Sequence, residues 1–153
     1  MKALIIDDSD YKIQNLKSFL ADYAFMSELK VAKSFQTGVH SLIEYRPDLV
    51  LLDMSLPTSE RTDGELEGRT RIYGGKEIMA EMQFERVIAK VIIITQFDTF
   101  GKPPKSITLN DLLQQIKNEY PNLYAGGVFY NNVDFSWRDS LKAILTNAFP
   151  AIL

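Results

Sequence analysis

The chain has 153 residues, a formal net charge of −3 and no cysteine. That length fits one domain with a sizeable core, while the missing cysteines exclude disulfides, thiolate nucleophiles and cysteine-based zinc sites. Hydrophobic residues make up 46% and charged ones 24%, an ordinary soluble composition; without a Lys/Arg run there is no electrostatic nucleic-acid footprint.

The N-terminus, MKALIIDDSD, has too short an apolar run for a signal peptide or a spanning helix. A cytoplasmic location with no membrane partner is the expectation. Ala3–Ile6 reads as a buried strand running into Asp7, Asp8, Ser9 and Asp10. Ser9 or Asp10 suits the cap of the following helix. Between Tyr11 and Tyr23, Ile13, Leu16 and Leu20 recur at helical spacing, with Lys12, Gln14, Asn15 and Lys17 assigned to the solvent face. Leu29–Ala32 is a second strand. Thr37–Tyr45 is a helix with Val39, Leu42 and Ile43 inward, and Pro47 stops it.

Leu49–Pro57, LVLLDMSLP, is the organising stretch. Four apolar residues lead into one carboxylate, Asp53, the pattern of a strand buried on both faces. Met54–Gly74 is polar and glycine-containing and reads as a long solvated loop. Ile78, Met79 and Met82 then mark a helix. VIAKVIIIT at 87–95 is β-branched and reads as a central strand ending at Thr95. Gln96–Ser106, with Gly101, Pro103 and Pro104, reads as a loop. Thr108 with Asp111, and Ser136 with Asp139, have capping-box spacing at the starts of two amphipathic helices. Gly127–Tyr130 is the last strand.

Strands and helices therefore alternate along one domain, 1–153. This predicts an α/β, flavodoxin-like, doubly wound five-stranded parallel sheet of order 2-1-3-4-5, with helices on both faces. In that order Asp7, Asp8, Asp53 and Thr95 emerge at neighbouring strand ends. Carboxylates this close repel. Mg²⁺, which takes oxygen ligands and often binds a few carboxylates together with a phosphate, resolves the conflict.

IIDDS at 5–9, LVLLDMSLP at 49–57 and VIIIT at 91–95 together resemble the receiver domains of two-component response regulators. The resemblance implies that Asp53 is the phosphoacceptor. It implies that Asp7, Asp8, Asp53 and the backbone carbonyl of Ser55 hold Mg²⁺, and that Thr95 is the switch hydroxyl. It further implies a histidine kinase or phosphotransfer protein as donor and a downstream protein partner. The helix Leu109–Glu119 and the fifth strand would form the docking or homodimer surface. The chain would be a phosphoacceptor that assists its own phosphorylation and dephosphorylation rather than an enzyme.

The sequence departs from the pattern at several positions. The usual Lys-Pro after the fifth strand is replaced by Asn131 and Asn132. Lys102 or Lys105, or the loop residues Arg61, Arg69 and Arg71, are alternative sources of the missing charge. Gln96 is larger than the residue usual after the switch threonine. The switch aromatic falls at Val128, or at Phe129 or Tyr130 in another register. His40, the only histidine, has no second histidine for a metal pair or triad. Trp137 reads as a core residue, and Gly74-Gly75 as backbone freedom at a helix start. No GxGxxG or P-loop is present. The functional reading is a stand-alone receiver that signals by docking or serves as a phosphate sink. A non-phosphorylated pseudo-receiver is the alternative. A phosphohydrolase of the haloacid-dehalogenase type ranks last, because Ser55 stands where its second aspartate belongs.

Overall fold

A computed structural model describes residues 1–60 and 69–151. Five parallel strands form the central sheet: β1 (Lys2–Ile6), β2 (Glu28–Ala32), β3 (Leu49–Leu52), β4 (Lys90–Thr95) and β5 (Tyr124–Phe129). Their spatial order is β2-β1-β3-β4-β5, as the alternation predicts. The helices are α1 (Asp10–Ala21), α2 (Phe35–Tyr45), α3 (Gly74–Phe84), α4 (Leu109–Glu119) and α5 (Ser136–Ala148).

Because side chains alternate across a strand, each strand serves two cores. Leu4, Ile6, Val50, Leu52, Val91 and Ile93 face α2, α3 and α4. Ala3, Ile5, Leu49, Leu51, Ile92 and Ile94 face α1 and α5. This explains why the inner strands read as unbroken apolar runs instead of alternating ones.

Local chemistry sets the helix starts. Ser9 caps α1, accepting from the Lys12 N–H. Ser34 and Thr37 form a reciprocal capping box on α2, so that helix begins earlier than periodicity suggests. Thr108 caps α4 through the Asp111 N–H. The expected Ser136 box does not form. Ser136 is the first residue of α5, and its N–H and hydroxyl both donate to Asp134 Oδ1. The two stretches read as loops each carry a short antiparallel ribbon, Leu56–Pro57 with Thr70–Arg71 and Thr99–Phe100 with Ile107–Thr108. Buried Leu56 and Phe100 anchor them.

Glycines set how near three of the helices come to the sheet. At Gly75 an added Cβ would lie 2.5 Å from the Asp53 carbonyl oxygen, and the Gly75 N–H donates to the Met54 carbonyl at 2.8 Å. The residue is needed for close approach of α3 to the end of β3; its φ is not in the left-handed region. On β5, a Cβ at Gly126 would meet Ile144 of α5 at 2.8 Å, and one at Gly127 would meet Leu113 of α4 at 2.4 Å.

Gly75→Ala is expected to destabilise the fold by about 1–3 kcal/mol, the usual cost of overpacking against a fixed neighbour. Urea unfolding measures this; a change within error would show that α3 can retreat from β3 at no cost.

Candidate functional site

The register of the sheet builds the site. Ile6 of β1 pairs with Leu52 of β3, so Asp7 and Asp53 leave the sheet side by side. Their backbones are still tied to it: Asp7 N–H donates to Ala32 at 3.0 Å and Asp53 N–H to Ile6 at 2.9 Å. Leu52 pairs with Ile93 of β4, which places Thr95 one step further along the same rim. Asp7, Asp53 and Thr95 are buried, and Asp8 is exposed. Carboxylate oxygens of Asp7, Asp8 and Asp53 all lie within 4.8 Å of one another. Asp7 Oδ1 accepts from Ser9 N–H at 3.0 Å, Asp53 Oδ1 from Met54 N–H at 2.8 Å, and Thr95 Oγ1 from Phe97 N–H at 3.2 Å.

Lys12 belongs to this cluster, contrary to its expected solvent-facing position. Its side chain is 0% exposed. Nζ lies 2.6 Å from Asp7 Oδ2 and 3.5 Å from Asp53 Oδ1, and it donates to the carbonyl of Ile94. The Tyr130 ring lies 5.8 Å from it, and the Tyr130 hydroxyl accepts from Asn15 at 2.6 Å. Asn15, also assigned outward, is therefore half-buried against the end of β5. Gln14 and Lys17 are exposed as expected. A signal for Lys12 is present in the sequence. Lys12, Leu16 and Phe19 follow the i, i+4, i+7 spacing of one helix face, and all three are buried.

No family model matches the chain. It is 28% identical over 144 residues to an uncharacterized protein, y4jR, of Sinorhizobium fredii, covering 93% of this chain and 95% of that one. It is 27% identical over 148 residues to the Detocs response regulatory protein DtcB of Enterobacter cloacae, covering 95% and 99%. Among solved structures it resembles the response regulator domain of Thermotoga maritima CheB, with TM-score 0.64 and 16% identity over 99% of this chain and 96% of that one. It also resembles a chain of the CheX–CheY–BeF₃–Mg²⁺ complex of Borrelia burgdorferi, with TM-score 0.60 and 18% identity over 97% and 89%. This is the receiver-domain fold of response regulators.

The fold places the other expected residues less centrally. Asn131, at the place of the usual lysine, spends its Oδ1 on the Val133 N–H at 2.8 Å, holding its own loop. Lys102 and Lys105 are exposed on the ribbon after β4, and neither is paired with Asp7 or Asp53. Arg71 pairs with Glu77 at 2.6 Å and stacks on Phe35. Arg69 is exposed, and Arg61 lies outside the described residues. Gln96 is exposed at the rim. Of the three aromatic-switch positions, Val128 and Tyr130 are buried and Phe129 is exposed. Ser55 is half-buried, its hydroxyl donating to Ile72 at 3.3 Å. His40 is exposed, and Trp137 packs against Phe19 and Tyr130.

Burial pushes the Asp53 carboxyl up from 3.8 to about 7, against the opposing pull of Lys12 and the Met54 N–H; Asp7 and Asp8 add to the rise. Asp53 thus holds its proton more tightly folded than unfolded. The stability this provides is complete below the ordinary carboxylate range and is lost as pH climbs toward the raised value. Asp53→Asn removes the ionisation cost. Without divalent cations, its stability relative to the unaltered chain is expected to rise by about 2–3 kcal/mol between about pH 5 and pH 8. Denaturant unfolding at both pH values checks this, and a pH-independent difference would contradict it.

Proposed function

We propose that this receiver domain accepts a phosphoryl group on Asp53 from a phosphohistidine donor, with Mg²⁺, and signals by docking to a partner protein. The observation that carries the reading is the convergence of three carboxylates within 4.8 Å on one rim, with Thr95 buried one residue step beyond. An oxygen-only donor set of this kind suits Mg²⁺. Asp7, Asp8 and Asp53, with the Ser55 carbonyl, would hold the ion, which when bound neutralises charge on the transferring phosphoryl group.

The nucleophile is the ionised Asp53 carboxylate. One of its oxygens forms the bond to phosphorus as the donor's P–N bond breaks. The electron pair leaves with the imidazole nitrogen, which takes a proton from water, and the product is an acyl phosphate. Thr95 Oγ1 accepts the Phe97 N–H at 3.2 Å, and its own proton is the group to offer a phosphoryl oxygen. That bond would draw the loop after β4 toward Asp53, a two-state change of the kind switches use. The Enterobacter relative is named a response regulatory protein, and the same class of role is assigned to this chain.

Incubation with acetyl phosphate and Mg²⁺ is expected to add the mass of one phosphoryl group to the intact protein, and Asp53→Asn or chelation of the metal should abolish the gain. An unmodified mass under these conditions would leave a pseudo-receiver that acts only as an interaction module. Continuous phosphate release from phosphomonoesters would instead identify a hydrolase.

A further inference from the structure

We infer that Lys12 is the cation that receives the phosphoryl group, supplied from the first helix in place of a lysine after β5. The inference rests on the phosphoacceptor reading of Asp53 and concerns that same site.

Two features of the placement oppose a charge, and only the oxygens around Nζ offset them. Lys12 lies in the first turn of α1, three residues after the Ser9 cap. There the helix dipole is positive and a cation is opposed. Its side chain is fully buried, and removing an ammonium from water costs several kcal/mol unless oxygens surround it. Nζ lies between Asp7 and Asp53.

The ammonium has three protons to donate. Asp7 Oδ2, at 2.6 Å, and the carbonyl of Ile94 engage two of them. The third faces Asp53 Oδ1 from 3.5 Å, longer than a good hydrogen bond. A phosphoryl group attached to Asp53 carries oxygens beyond the carboxylate and brings one within reach of that donor. Asn131 provides no charge and is held by its own loop, while Arg71 is paired with Glu77 and Arg69, Lys102 and Lys105 are exposed. Asp7, through Lys12, then serves two cations, holding the ammonium by Oδ2 while standing in the carboxylate cluster.

The test compares Lys12→Met with Lys17→Met, which removes the same charge from an exposed position on the same helix. With Mg²⁺ present, the affinity for beryllofluoride and the phosphorylation rate with acetyl phosphate are expected to fall about ten- to hundredfold in Lys12→Met, the size of a hydrogen bond to a charged group. Both should be unchanged in Lys17→Met. Affinity for Mg²⁺ alone, measured by calorimetry, should be retained or rise in Lys12→Met, since Asp7 is released from the ammonium. Adding Asn131→Lys to Lys12→Met should restore part of the beryllofluoride affinity. Equal beryllofluoride affinity in Lys12→Met and the unaltered chain, or a parallel loss of both ligands, would overturn the inference. If Lys12→Met does not fold, the ¹⁵N resonance of Lys12 Nζ in the unaltered chain decides. It should shift on adding beryllofluoride beyond any shift with Mg²⁺ alone; no added shift overturns the inference. A chain that binds no beryllofluoride at all would sink the phosphoacceptor reading itself, whereas normal binding without Lys12 would sink only the role of this lysine.

Discussion

The rim of this fold depends on one buried ammonium set among carboxylates. Asp7 and Asp53 come side by side because β1 and β3 are in parallel register, and both are shielded from solvent. Two ionised carboxylates so largely removed from solvent repel. Lys12 Nζ, 2.6 Å from one and 3.5 Å from the other, offsets this repulsion from within the chain. Asp53 keeps its raised affinity for a proton even so, which shows that burial outweighs the single positive neighbour.

The surrounding structure holds that arrangement in place. Backbone bonds from Asp7 and Asp53 extend the sheet ladder by one residue past the apolar strands. The Ser9 cap fixes where α1 begins and so where Lys12, three residues on, is aimed. Tyr130 covers the lysine from the end of β5 and is itself steadied by Asn15 from α1. On the other side, Gly75 allows α3 to approach the Asp53 backbone. The acid end of β3 is therefore enclosed by α1, α3 and the ends of β1, β4 and β5.

Most of this is legible in the sequence because a buried parallel strand is nearly pure apolar text, and a carboxylate or hydroxyl at its end stands out. Leu49–Leu52 before Asp53 and Val91–Ile94 before Thr95 need no more than that. Lys12 escapes because charge ordinarily marks the solvent face, a rule that fails when the partners of that charge come from strands far along the chain. The helix face through Leu16 and Phe19 is the available clue. The helix start at Ser136 misleads for a related reason: Asp134, outside the capping pattern, competes for the serine. Gly75 suggests conformational freedom, whereas what it supplies is space, a property that only the packed neighbour reveals. The short ribbons escape because two-residue strands carry no periodicity.

The consecutive glycines of β5 have a mechanical consequence. Where Gly126 and Gly127 lie, the sheet margin is a bare peptide ribbon, with Ile144 of α5 against one surface and Leu113 of α4 against the other. The partition between those two helices is a single main chain thick. At these two positions no strand side chain separates the main chain from either helix, so a displacement of α4 here loads the same ribbon on which α5 rests.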